Sequence, residues 1–230
     1  MSLYNNKIRE VNNALTEAMK DIININKTKG GDEFDTLVYN TFYEHLKKLG
    51  FEDIDSKHWS KYYETYKAKT LKEDFDFKDV MPTNNLQDDC LIIDKPNGKQ
   101  KWPDILIIYN KIGLPIEIKS AKDDGILWNS GIPKTERIYI FNCYGVKQTT
   151  AFLGNSVITE AEAKLLREMD LDSKLVCSFK NEQMKELSSN WSYYPRPMFN
   201  SSVKYFKDDE IRLAREQKVM DLILNNKWEN

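Results

Sequence analysis

Histidine is almost absent from this chain, with 2 in 230 residues, His45 and His58. A histidine-metal nuclease or a zinc site therefore lacks ligands. Cysteine is scarce too: Cys90, Cys143 and Cys177 are odd in number, widely spaced and form no CxxC pair. Each stands among apolar neighbours, as in Cys90-Leu91-Ile92-Ile93, so buried free thiols in a reducing compartment are expected rather than a disulfide framework. No Walker A, GxGxxG or GxSxG pattern occurs, which removes the obvious nucleotide and acyl-transfer chemistries. The longest aliphatic run, Ile105 to Ile108, is far short of the ~20 residues of a membrane span, and MSLYNNKIREVNN at the start lacks a signal-peptide core. A cytoplasmic protein with no membrane partner is the expectation.

An excess of charge of either sign is also missing: 34 bases against 36 acids give a net −2. No global positive field marks a polyanionic partner, although a local basic surface suffices for one. Only 6 of the bases are arginine, and asparagine is common, a bias that an AT-rich bacterial genome would produce. What is present is core material. Hydrophobic residues make up 40% and charged residues 30%, and a chain of this length can bury about 70% of its unfolded surface. No repeat, low-complexity tract or linker interrupts it, so a single domain over residues 1–230 is expected.

Apolar spacing predicts a helix over 3–26, ended by Lys29-Gly30-Gly31, and a second capped by Asp32 and stopped at Gly50. A shorter aromatic helix is read at 57–72 and a loop at 73–88. Strands follow at 90–94, 102–109 and 114–120, separated by Pro96-Asn97-Gly98 and by Asn110-Lys111-Ile112-Gly113. Such short connections imply an antiparallel meander. Further strands are expected at 137–143, 149–154 and 174–179. A helix over 159–169 opens with Thr159 and Glu162 in capping-box spacing, and a last helix covers 208–228. The fold class is α/β, a central mixed sheet with an antiparallel meander, flanked by helices.

The chemistry concentrates at Trp102-Pro103-Asp104 and, after twelve residues, Glu117-Ile118-Lys119. If the turn centres between Lys111 and Ile112, Asp104 faces Lys119 and Leu106 faces Glu117. Glu117 and Lys119 share one side of their strand, because side chains alternate with period two. One hairpin then gathers two carboxylates and an ammonium among isoleucines. Adjacent carboxylates repel and raise each other's pKa unless a cation intervenes, and Mg²⁺ suits such a donor set.

Pro103-Asp104, the gap and Glu117-Ile118-Lys119 resemble the PD-(D/E)XK nuclease superfamily, type II restriction endonucleases in particular. The resemblance covers roughly residues 31–154. It implies a restriction-endonuclease-like fold in which Asp104, Glu117 and the main-chain carbonyl of Ile118 bind one or two Mg²⁺ ions, while Lys119 assists the attacking water. Gly31-Asp32-Glu33-Phe34-Asp35 is similar to the upstream helix that often adds an acid, with Glu33 and Asp35 both open. The segment from Ser120 and Lys122 to Asn129, Ser130 and Lys134 is similar to the post-catalytic stretch whose polar side chains reach DNA. The implied activity is site-specific cleavage of double-stranded DNA leaving 5′-phosphate ends. A homodimer through helices 3–26 or 208–228 and a cognate DNA methyltransferase are the implied partners.

Plainer readings stand beside these. The three ionisable residues could form an ordinary cross-strand ion pair. The aromatics of 57–72 fall at core spacing beneath solvated lysines. Asn129-Ser130-Gly131 is good loop chemistry, and Tyr193-Tyr194-Pro195-Arg196-Pro197 reads first as a core-flanking loop. Structure-selective repair nuclease, junction resolvase and non-cleaving DNA-binding subunit are the alternative functions.

Overall fold

The computed structural model describes residues 3–26, 30–54, 90–98, 102–110, 112–129, 131–196, 198–201 and 203–226. The helix read at 57–72 and the loop at 73–88 lie outside the described residues. In chain order the elements are α1 (Leu3–Ile23), α2 (Asp32–Leu46) with a 3₁₀ turn at Lys47–Leu49, β1 (Glu52–Ile54), β2 (Cys90–Asp94), β3 (Ile105–Tyr109) and β4 (Ile112–Ala121). They continue as β5 (Ile126–Trp128), β6 (Ile138–Cys143), β7 (Gln148–Leu153), α3 (Glu160–Glu186), β8 (Phe199–Ser201) and α4 (Asp209–Leu224). Six strands form a mixed sheet in the order β1-β2-β3-β4-β6-β7, and β5 pairs with β8 apart from it. The expected meander is there: β2, β3 and β4 are antiparallel neighbours, while β4 joins β6 in parallel.

Period-two alternation sorts the sheet's side chains between two cores. Ile105, Ile107, Leu114, Ile116, Ile138 and Ile140 face a core completed by Val11, Leu15 and Met19 of α1, Phe34, Val38 and Phe42 of α2, and Val219 and Ile223 of α4. The opposite face is aromatic: Tyr139, Phe141 and Phe152 pack with Trp128 and Tyr205. Tyr139 stacks on Phe152 at 5.6 Å, and Phe152 lies 4.9 Å from Tyr205. α4 is pinned to β7 by a buried polar contact, in which Thr150 Oγ1 donates to Glu216 Oε1 at 2.7 Å and Arg212 donates to the same oxygen at 3.1 Å. Cys90 and Cys143 are buried, Cys177 is half-buried, and none of the three is in a disulfide.

Several expectations need correction. The strand expected at 174–179 is helix, because α3 runs on from its Thr159–Glu162 capping box to Glu186. The β-branched and aromatic content at 174–179 misled, since these side chains sit on an exposed helical face instead of a pleat. The cap of α2 is Gly31, at φ 78° and ψ −154°, and Asp32 is its first helical residue. Glycine reaches that backbone conformation without the strain a Cβ would bring. The strands β1, β5 and β8 are three residues each, too short to show alternation in sequence. Among the described residues no helix is long and apolar enough to cross a membrane.

The start of α2 is seated directly against the sheet. A Cβ built on Gly30 would stand 2.6 Å from the Ser120 Cβ, a contact between two backbone-anchored atoms. Gly30→Ala should therefore cost about 1–3 kcal/mol by forcing α2 away from β4. Urea unfolding tests this, and an unchanged midpoint would show that the helix start shifts without strain.

Candidate active site

The site arises from how β3 ends. β3 pairs with β4 only from Ile105, opposite Ile116, to Tyr109, opposite Ile112. β4 continues to Ala121 and from Ile116 onward pairs with β6 on its other edge. One residue beyond β3 the regular ladder ends, and Asp104 is tied to both neighbouring strands: its N–H donates to the Ile116 carbonyl at 3.1 Å, and Lys95 N–H donates to its carbonyl at 2.7 Å. Lys95 thus bonds Asp104 across the end of β2, Asp104 bonds β4 at Ile116, and Glu117, the next residue of β4, pairs with Tyr139 of β6.

This register differs from the one expected. The connection from Tyr109 to Ile112 spans two residues, not four, so Leu106 faces Pro115, Ile105 faces Ile116, and Asp104 bonds the Ile116 carbonyl. The shift is even, so every side chain keeps its side of the sheet. Glu117 and Lys119 remain on a common face, and the two carboxylates come close enough for the charge of Glu117 to act on Asp104.

Glu117 is buried, and its Oε1 accepts from Lys119 Nζ at 2.7 Å, with side chains 9% and 16% exposed. Its other oxygen, Oε2, is buried with no hydrogen-bond partner. Asp104 Oδ2 accepts the Ile118 N–H at 2.8 Å. In an extended strand the N–H and C=O of one residue point to the same edge. The Ile118 carbonyl therefore faces the edge that β3 has vacated, beside the Asp104 carboxylate.

Both carboxylates resist ionisation. Burial, then the charge of Glu117, push Asp104 up to about 7 against the lowering effect of the Ile118 N–H. Burial also raises Glu117, although Lys119 beside it acts the other way. Two acids and one ammonium in a dry place leave negative charge uncompensated. A hard divalent ion suits this donor set, and the unsatisfied Oε2 is the observation that favours it. Among the described residues no group of three or more His, Cys, Asp or Glu is disposed to hold a metal ion. Protein ligation here would rest on Asp104, Glu117 and the Ile118 carbonyl, with water and substrate oxygens completing the shell.

Of the two upstream acids, Asp35 reaches the site and Glu33 does not. Asp35 lines an open cleft of about 680 Å³ together with Ile118, Lys119, Ser120 and Asn129. Glu33 is exposed on the outer side of α2. Burial raises the pKa of Asp35 despite Lys95, whose Nζ lies 3.1 Å away. Sequence reasoning overlooked Lys95. Its signal was its place at the end of β2, before Pro96-Asn97-Gly98, where pairing sets it opposite Asp104.

The residues expected to touch DNA separate. Ser120 and Asn129 line the cleft with Lys119. Lys134 instead faces an inner pocket of about 40 Å³ shared with Glu117, and its ammonium sits 4.5 Å above the Trp102 ring. Lys122 is exposed and lines neither, and Ser130 lies outside the described residues. Arg196 stands close by, donating to the Asn129 carbonyl at 3.0 Å, so the 193–196 loop adjoins the cleft. No protein-family model, curated protein or solved structure matches the chain.

The carboxylate pair has a thermodynamic consequence. An acid whose folded pKa lies above its unfolded value of about 4 stabilises the fold only while protonated, so that contribution is lost as pH rises toward about 7. Asp104→Asn should then be more stable than the parent in EDTA by about 1–3 kcal/mol at pH 8. The gain should grow from about pH 4 to about 7 and flatten above. Mg²⁺ should raise the melting temperature of the parent and not of the variant. Thermal unfolding across pH checks both, and a pH-independent difference would mean that Asp104 ionises freely.

Proposed function

We propose that the protein is a Mg²⁺-dependent endodeoxyribonuclease of the PD-(D/E)XK type that cuts double-stranded DNA at a short site. The observation that carries the reading is the closeness of Asp104 and Glu117, with the Asp104 carboxylate on the Ile118 N–H, Lys119 bonded to Glu117 and one glutamate oxygen left unsatisfied. An ordinary surface ion pair would be solvated and would not bury an orphaned oxygen.

Asp104, Glu117 and the Ile118 carbonyl would hold the ion, which when bound supplies an acidified water and charge to offset the phosphate. Lys119 lines both the open cleft and the inner pocket. Its ammonium, fixed by Glu117, is placed to orient a nucleophile or to stabilise negative charge growing on a phosphate oxygen. Asp35, neutralised by Lys95, forms the wall of the cleft beneath α2. Ser120 and Asn129 offer hydrogen-bonding groups along that cleft, and Arg196 stands beside them. Three carboxylates against two lysines would repel a polyanion, so productive DNA binding requires the cation as well.

Incubation with unmethylated, sequence-diverse DNA tests the reading. Discrete fragments with 5′-phosphate ends are expected in Mg²⁺ and none in EDTA. Asp104→Ala, Glu117→Ala and Lys119→Ala should each lower the rate by about 10³-fold or more while leaving the fold intact. A smear or cutting confined to branched DNA would indicate a structure-selective nuclease. Metal-insensitive binding without cleavage of DNA that the parent recognises would make the chain a binding subunit.

A further inference from the structure

Asp35 stands at the wall of the cleft with Ile118 and Lys119, and its charge acts on both Asp104 and Glu117. A carboxylate that near a pair of candidate ligands is the natural third donor for a hard divalent ion. Yet among the described residues no three acidic, histidine or cysteine side chains are disposed to share one. Lys95 accounts for the difference. Its Nζ lies 3.1 Å from Asp35 Oδ2 and 3.4 Å from Asp32 Oδ1, and its side chain is only 14% exposed. Asp32 is 76% exposed and well solvated, whereas Asp35 is 19% exposed. The strong partnership is therefore the one with Asp35, since an ion pair strengthens as water is excluded from it.

The main chain fixes Lys95 in that place. Its N–H donates to the Asp104 carbonyl at 2.7 Å, and its own carbonyl accepts from the Gly98 N–H at 2.8 Å, closing the turn Lys95-Pro96-Asn97-Gly98. At φ 45° Lys95 occupies the left-handed region, where glycine or asparagine meets less strain. Such a conformation persists where the surroundings over-determine it, and here bonds on both sides do so. Lys95 does not line the cleft, so it meets Asp35 from outside that wall. The contrast with Glu117 is direct. Glu117 Oε2 is buried with no hydrogen-bond partner and stays available to a cation, whereas the Asp35 carboxylate already has one in Lys95.

We propose that Lys95 is a positioning residue that holds Asp35 out of the metal shell, leaving Asp104, Glu117 and the Ile118 carbonyl as the protein's donors. The proposal rests on the Mg²⁺ reading above and goes beyond it, because it makes Lys95 the residue that limits metal affinity. Without that ammonium, Asp35 is a largely buried, unpaired carboxylate beside two others, and a divalent cation is the partner that relieves their repulsion.

Mn²⁺ binding to the DNA-free full-length protein tests this, since Mn²⁺ takes the same oxygen donors as Mg²⁺ and its free fraction is read by electron paramagnetic resonance. Lys95→Met should bind Mn²⁺ about tenfold more tightly than the parent. Adding Asp35→Asn should remove the gain, while adding Asp32→Asn, the same change in charge, should leave it. Water-proton relaxation counts the waters on the bound Mn²⁺, and one fewer is expected in Lys95→Met. Lys95→Gly, which suits φ 45°, should behave as Lys95→Met does and keeps the test sound if methionine is strained there. Equal or weaker binding by both variants overturns the proposal and leaves Lys95 a structural tether. Tighter binding with an unchanged water count also overturns it, because Lys95 would then act only as a distant charge. If neither the parent nor any variant binds Mn²⁺, the metal reading itself fails and the proposal falls with it.

Discussion

The short connection between Tyr109 and Ile112 governs the site. It sets the register of β3 against β4, and β4 then outruns its partner by the length needed to carry Glu117 and Lys119 past Ile105. Asp104 keeps a main-chain bond to Ile116 while its carboxylate turns to the Ile118 N–H. Two acids that would separate in water are held close by one main-chain and one side-chain bond from Asp104 to the residues of β4 that flank Glu117. Their raised pKa values are the electrostatic record of that constraint.

The surrounding layers make the constraint affordable. The helical core behind Ile105, Ile107, Leu114 and Ile116 and the aromatic core around Tyr139 and Phe152 bury the sheet on both sides. Burying β4 from Ile112 to Ile118 is what dries Glu117, and a dry carboxylate interacts strongly with whatever charge comes near. α2 contributes from the other side, its start held against Ser120 by the absence of a side chain at Gly30. Asp35 is thereby brought to the cleft and paired with Lys95. The site is thus assembled by three separate segments that meet where β3 stops.

Much of this was legible along the chain. Helical periodicity marked α1, α2 and α4, turn residues marked the hairpins, and Thr159 with Glu162 marked the start of α3. The grouping of Asp104, Glu117 and Lys119 on one face followed from strand alternation alone, which is why an error of two residues in the register did not scatter them. The end of α3 was not legible, because Leu175, Val176 and Phe179 serve a strand and an exposed helical seam equally well.

Sequence by itself determined the periodic features: the helices other than the second half of α3, the longer strands of the sheet, and which side chains share a face. These depend on neighbours a few residues apart. Only the tertiary structure decided that Asp35, not Glu33, enters the cleft, that Lys95 stands beside it, and that one Glu117 oxygen is left without a partner. It also withdrew Lys134 onto Trp102 and left the α3 face exposed. Each depends on the distance between segments far apart in the chain, and on what water can reach, which local spacing does not encode.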